Sequence, residues 1–293
     1  MGKVYEALKK AESEGNPPAW SSVAVEPVTE DRNKGGNAFD FVNYSLNAPD
    51  AAEIEERSRE RAAAQAARKE LAQPSREIAI DLQQIAPQLI SFHDINTNAA
   101  EEYNRLAVTL ITSASERTIK RVLVASAQHG EGRTSVTLNL ACALARAHKR
   151  VLVVDTDLHS PSLLRFLGLS TEVGLTDALT NGLPAGSAVI RVQPFGFDLL
   201  PTREQAKNPA ELLSSSSFRE MLELLDTDYD FILFDSPPLL TVADSSLLVR
   251  YIDKTVLVIR SGKTSSGQIG RAIAPLTQEK ILGVVLNRAG RAA

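Results

Sequence analysis

Cross-links can be set aside first: this 293-residue chain has one cysteine, Cys142, so no disulfide framework holds it together. That scarcity fits a reducing, intracellular compartment. Long apolar runs are also missing, and without a stretch of about 18 apolar residues no transmembrane helix is expected. The opening, Met1-Gly-Lys-Val-Tyr-Glu-Ala-Leu8, lacks the apolar core of a signal peptide, and Glu6 stands where a myristoylation site needs Ser or Thr. Surplus positive charge is absent too: the net charge is −4, which gives no reason to expect nucleic-acid binding. His93, His129, His148 and His159 are scattered and suggest no metal cluster.

What is present divides into a tail and a domain. Residues 1–14 read as a short amphipathic helix, with Val4, Leu8 and Ala11 on one stripe, Tyr5 beside it, and Lys3, Lys9 and Lys10 on the polar face. Such a helix docks on its own domain, a partner or a membrane surface. Residues 15–89 read as a linker, disordered from Gly15 to Asp50 and then carrying a charged helix at about 51–72 that ends before Pro74. From residue 90 onward, apolar runs alternate with helical periods. Strands are expected at 121–126, 150–155, 197–200, 230–235, 254–260 and 281–287. Helices are expected at 98–112, 133–148, 161–167, 174–181, 209–226, 241–250 and 266–278. Continuous Val/Leu/Ile strands separated by helices predict a doubly wound α/β domain over 90–293, with a mostly parallel sheet buried on both faces.

The richest stretch is Arg121-Val-Leu-Val-Ala-Ser-Ala-Gln-His-Gly-Glu-Gly-Arg-Thr-Ser135. A strand, a glycine-containing turn and a helix in that order make a phosphate-binding loop, in which backbone N–H groups and a helix N-terminus face an anion. A dinucleotide fingerprint is the nearest competitor, but Gly130-Glu-Gly132-Arg-Thr-Ser135 lacks its third glycine. Two aspartate-terminated strands favour a nucleoside triphosphate instead. Val151-Leu-Val-Val-Asp155-Thr-Asp157 and Tyr229-Asp-Phe-Ile-Leu-Phe-Asp235 deliver carboxylates to the sheet edge where ligands of such folds bind. Asp235 has the position of a Walker B carboxylate, and Thr134 offers the hydroxyl for magnesium. A lone strand-terminal Asp is otherwise a helix N-cap.

These residues resemble the bacterial tyrosine kinases (BY-kinases) of capsule and exopolysaccharide synthesis, within the deviant-Walker group that includes the MinD and ParA ATPases. The resemblance runs over about residues 88–289. It rests on the loop, Asn139-Leu-Ala, Val153-Val-Asp-Thr-Asp-Leu-His-Ser-Pro161, Asn208-Pro-Ala-Glu-Leu-Leu-Ser-Ser215, Phe234-Asp-Ser-Pro-Pro238, Leu257-Val-Ile-Arg-Ser-Gly-Lys-Thr264 and Gly283-Val-Val-Leu-Asn287. Lys3-Val-Tyr-Glu-Ala-Leu-Lys-Lys-Ala11 is similar to N-terminal helices on stand-alone members. Relatives that position plasmids or division sites usually carry Lys where this chain has Gln128. The resemblance implies an ATP- and Mg2+-dependent autokinase. It would work with a membrane co-polymerase (chain-length regulator), from the cytoplasm and peripheral to the inner face of the membrane, with self-association. The phosphates would lie on Gln128, His129, Gly130, Glu131, Gly132, Arg133, Thr134 and Ser135, with Asn287 near adenine. Thr134, Asp155 and Asp235 would hold Mg2+, while Asp155 and Asp157 would deprotonate the attacking tyrosine.

The sequence departs from the family pattern at three functional places. Arg133 replaces the loop lysine, and a planar guanidinium is not the same compact charge. Asn104 and Ala107 stand at the two assembly arginines of Glu101-x-x-Arg-x-x-Arg, and Arg105 is one place off, about 100° round the helix. No tyrosine follows Tyr251, so the usual acceptor cluster is missing and Tyr5, Tyr44 and Tyr103 are the other candidates. The expectation is an ATP-binding kinase-like protein with catalysis weakened by Arg133. The alternatives are a non-catalytic nucleotide-dependent regulator and a ParA/MinD-like positioning ATPase.

Overall fold

A computed structural model describes residue 74 and residues 76–116, 119–242 and 244–289. The helices expected at 1–14 and 51–72 lie outside the described residues, as do Tyr5 and Tyr44. Eight strands form one sheet: β1 (Arg76–Ala79), β2 (Arg121–Ser126), β3 (Val151–Asp155), β4 (Ile190–Gln193), β5 (Phe197–Leu200), β6 (Phe231–Asp235), β7 (Lys254–Arg260) and β8 (Ile281–Asn287). Their order is β1-β4-β5-β3-β6-β2-β7-β8, and every pairing is parallel except β4 with β5.

The alternation along the central strands explains why the sheet is buried twice. Val151 and Val153 of β3 and Phe231 and Leu233 of β6 face one core cluster. Leu152, Val154, Ile232 and Phe234 face the other. Side chains two apart share a face, so an unbroken apolar run feeds both layers. On the first face lie α1 (Ile90–His93), α2 (Asn98–Glu116) and α3 (Arg133–Arg146). Cys142 is buried there, and burial pushes its thiol up to about 11.

Beyond α3 come α4 (Leu163–Leu167), α5 (Leu175–Asn181) and α6 (Ala185–Ala188), and several expected elements differ in extent. The sheet begins before residue 90, because β1 pairs with β4 from Arg76 onward, so part of the expected linker belongs to the domain. Neither β1 nor β4 is legible in the sequence, since each has only four residues and half of them are polar. The helix expected at 209–226 is two helices, α7 (Pro209–Ser214) and α8 (Ser216–Leu225). Ser215 has extended backbone and its hydroxyl accepts from the Phe218 N–H, so it starts the second helix at the cost of the first. Among the described residues of 241–250, only α9 (Ser245–Leu248) is helical. The final helix, α10 (Ser266–Ile273), stops short of 278, where Pro275 removes a backbone donor.

One polar cluster is fully engaged within the sheet. Asp198 of β5 faces Arg191 of β4 across the antiparallel pair, accepts two guanidinium bonds at 2.9 and 3.1 Å, and accepts the Tyr229 hydroxyl at 2.8 Å. Removing the acceptor strands two donors, whereas removing the phenol strands none. Asp198→Ala is therefore expected to lower unfolding free energy by about 3 kcal/mol in urea titration, and Tyr229→Phe by about 1 kcal/mol.

Candidate nucleotide site

Parallel strands deliver their carboxyl ends to one edge, so β3, β6 and β2, adjacent in the sheet, bring their final residues together. Asp155 and Asp235 are register partners across β3 and β6, and Val124 of β2 sits beside Asp235 on the other side. The loop leaves β2 after Ser126. Gly130 and Gly132 have φ of 76° and 100°, a region L side chains avoid. At Gly132 a Cβ would lie 2.0 Å from the Asn287 amide nitrogen, so only glycine fits. Gly132 caps α3 without a side-chain hydrogen bond, and the first turn holds no acid. The helix N-terminus thus keeps N–H groups free for an anion.

Glu131 would oppose such an anion if it pointed outward, but it is buried. Its carboxylate accepts from the Gln128 N–H at 2.9 Å and from the Thr264 hydroxyl, stapling the loop to the end of β7. Asn287 donates to the Glu131 carbonyl at 2.8 Å. Gln128, Glu131 and Asn287, expected as ligand contacts, thus shape the loop from behind. His129 is exposed and lines the cavity in front of it. Ser135 is buried in the first turn of α3.

Arg133 lies beneath the loop. Its Nε donates to the Ser236 carbonyl at 2.7 Å, one terminal nitrogen to Ser126 Oγ at 2.7 Å and the Gln128 carbonyl at 3.3 Å, and the other to Asp157 at 3.2 Å. The ion pair is buried on both sides. The side chain expected on the phosphates is in this structure a strut that ties β2, β6 and Asp157 together.

Thr134 completes the acidic edge. Its hydroxyl donates to Asp235 at 2.7 Å and lies 3.0 Å from the Ser162 hydroxyl. Asp155 accepts from the N–H groups of Ser162 at 3.2 Å, Leu163 at 3.3 Å and Asp157 at 3.3 Å. It therefore caps α4 (Leu163–Leu167) as well as facing Asp235. Burial pushes the Asp155 carboxyl well above the carboxylate range, and Asp235 pushes it further. Burial raises Asp235 to about 6 against the pull of Arg133 and the Thr134 hydrogen bond. Burial likewise raises Asp157, opposed by Arg133. Two crowded carboxyls beside a threonine hydroxyl suit a magnesium ion, which takes one or two carboxylates and fills its shell with phosphate oxygens and water. Among the described residues no three His, Cys, Asp or Glu side chains form a metal cage, so such an ion would depend on the phosphates.

A cavity of about 190 Å3 opens here, lined by Gly130, Gly132, Thr134, Asp157, Ser162 and Arg165 among others. It matches a phosphate chain better than a whole nucleotide, whose pockets run to several hundred Å3. A larger cavity of about 750 Å3, beside Arg150, Arg191 and Tyr229, has none of the loop residues in its lining. The sequence reading missed Ser126, Ser162, Ser236, Thr264 and Arg165. Quoted motifs contain Ser126, Ser236 and Thr264, but only the fold shows that these strand-end residues and the α4 residues Ser162 and Arg165 meet at the loop.

The departures have structural counterparts. Ala107 is buried against the core and Asn104 accepts from Arg146 at 3.1 Å, so neither position of α2 is free for an assembly arginine. Arg105 pairs with Glu101 and Glu102 on the surface. Tyr103 packs against the core, and burial raises its hydroxyl.

A loop-capped helix facing strand-end aspartates on a mostly parallel sheet defines a P-loop ATPase of the deviant-Walker kind. The cell-division ATPase MinD of Pyrococcus furiosus is similar at TM-score 0.52 and 27% identity, over 59% of this chain and 73% of that one. The AAA domain family model matches residues 119–273. Tyrosine-protein kinase YwqD of Bacillus subtilis (strain 168) is 35% identical over 190 residues, 64% of this chain and 80% of the relative. The kinase domain of the Escherichia coli tyrosine kinase ETK superposes at TM-score 0.65 with 26% identity, over 73% of this chain and 87% of that one. The chain belongs to the bacterial tyrosine-protein kinase family.

The acidic edge has a pH signature. A carboxyl whose folded pKa is raised stabilises the fold below its ordinary pKa and loses that contribution as pH rises through the folded value. Asp155→Asn removes one of the two like charges and keeps an acceptor for Ser162 and Leu163. In magnesium-free buffer the variant and the parent are expected to unfold alike near pH 4, with the variant more stable by about 2 kcal/mol at pH 8. Thermal denaturation across that range checks it.

Proposed function

We propose that this chain is a magnesium-ATP-binding protein-tyrosine kinase of reduced turnover that serves capsule or exopolysaccharide synthesis. It would act at the inner face of the cell membrane through a membrane co-polymerase. The observation that carries the nucleotide reading is the Thr134–Asp235 hydrogen bond at the uncapped start of α3. It joins a hydroxyl that lines the small cavity to a buried carboxylate behind it, beside free helix N–H groups. ATP with magnesium would supply the transferable phosphoryl group there. The residues of this chain do the positioning. Helix N–H groups of the loop would orient the phosphates, Thr134 and Asp235 would hold the metal with Asp155, and Asn287 would keep the loop in place through the Glu131 carbonyl. Asp157 takes the proton of the tyrosine hydroxyl as that oxygen bonds to phosphorus and the bond to the nucleotide breaks. In phosphoryl transfer, placement and charge stabilisation supply most of the rate.

Reduced turnover follows from the Arg133–Asp157 pair. A base held by a buried guanidinium is a poorer proton acceptor, and a guanidinium bonded to Asp157 is withheld from phosphate. The same pair favours a second reading, in which the chain binds nucleotide and regulates assembly without phosphorylating. If the protein self-associates, it does so without the assembly arginines, because Asn104 and Ala107 occupy their positions.

Calorimetric titration of the full chain is expected to show magnesium-dependent ATP binding that Thr134→Ala weakens about tenfold or more. Binding that ignores both magnesium and the substitution would remove the nucleotide reading. Arg133→Lys is expected to raise phosphotyrosine formation about tenfold or more, since one well-placed donor in a transition state is worth about that much. No rise, with binding intact, would favour the regulator.

A further inference from the structure

We infer that Arg165, outside the phosphate loop, supplies the cationic contact to the terminal phosphate that Arg133 withholds. The inference rests on the nucleotide reading above. Its first support is donor counting. A guanidinium has five N–H donors, and Arg133 uses four of them on Ser236, Ser126, Gln128 and Asp157. Swinging onto a phosphate would break a buried ion pair and leave the Ser236 carbonyl and Asp157 without their partner. A site built for phosphate then lacks a mobile positive charge in its loop.

The second support is position. Arg165 lines the same cavity of about 190 Å3 as Gly130, Gly132 and Thr134. Its side chain is exposed, and among the described residues it enters no ion pair or hydrogen bond with another side chain. Arg133 borders the same cavity, but it is buried and committed to its acceptors, whereas Arg165 is exposed and free.

The third support is that Arg165 is not on a loose loop. The start of α4 is held by Asp155 through the Ser162 and Leu163 N–H groups. Leu163 and Leu167 are fully buried. The end is closed by Gly168 at φ 63°, where an added Cβ would lie 2.8 Å from Gln84. The Thr134–Ser162 contact ties the helix to the loop. A single turn anchored at both ends therefore presents a free guanidinium to the cavity. The wall it stands on also carries Asp157, the residue placed to receive the acceptor proton. On this inference that wall takes the terminal phosphate, and the N–H groups of α3 take the inner phosphates. A guanidinium suits the task because it grips two phosphate oxygens at once.

The test is calorimetric titration of the full chain with Mg-ATP and Mg-ADP. Arg165→Ala is expected to weaken ATP binding about tenfold, the worth of one hydrogen bond to a charged group, while changing ADP binding less than about twofold. Arg165→Lys is expected to recover most of the ATP loss. Because the side chain is exposed, unchanged thermal unfolding confirms that both variants are folded. A parent chain that binds ATP no better than Arg165→Ala overturns the inference and leaves the nucleotide reading standing. Equal losses for ATP and ADP overturn the assignment to the terminal phosphate. A parent chain that binds neither nucleotide overturns both.

Discussion

Two carboxyl groups end adjacent parallel strands with almost no access to water, and most of the surrounding structure answers that constraint. Asp155 and Asp235 are register partners, and both are buried. Isolated buried charges of like sign are costly unless donors or cations compensate them. The donors come from three directions: the Thr134 hydroxyl from α3, the Ser162 and Leu163 N–H groups from α4, and the nearby Arg133 guanidinium from the loop. The start of α3 and the start of α4 are thus fixed by the same acidic edge. A divalent cation with phosphate would satisfy it more completely than these donors do, and for that reason the edge reads as a site rather than as a structural ion cluster.

The arginine at position 133 changes how that edge is used. A lysine carries a compact charge on a flexible stem, whereas a guanidinium has a rigid fork that finds several acceptors at once. Here the acceptors are two backbone carbonyls, a serine hydroxyl and Asp157. The loop gains a cross-brace and loses a free cation. The departures on α2 are of another kind. Ala107 is packed in the core and Asn104 is engaged by Arg146, so the helix is built for its own domain at both places. The three changes touch phosphate contact, assembly and acceptor separately, and no hydrogen bond or ion pair found here links Arg133 to Asn104 or Ala107.

The central strands were legible because burial on both faces demands continuous apolar runs, and 121–126, 197–200 and 254–260 match β2, β5 and β7 to the residue, as 281–287 does the edge strand β8. The phosphate loop was legible because glycine is needed where φ is positive, as at Gly130 and Gly132. The short strands β1, at the sheet edge, and β4, next to it, were not, since a four-residue strand of mixed polarity looks like any turn. The break at Ser215 was hidden as well. Four consecutive serines do not say which of them will cap, and the answer depends on where Phe218 must pack.

What the sequence determined by itself was the class of chemistry: a glycine loop ahead of a helix and aspartates at the ends of apolar strands, because these depend on local backbone geometry and on two-residue alternation. The tertiary structure alone decided what each charged side chain does. Arg133 in the sequence is a substituted phosphate ligand, and in the fold it is a brace on Asp157. Glu131 in the sequence is a phosphate contact and Asn287 an adenine contact, and in the fold both support the loop. Arg165 carries no mark in the sequence at all. The reason is physical. Hydrogen-bond partners of long side chains come from strand ends and turns far apart in the chain, and only the closed sheet brings them within 3 Å or so of one another.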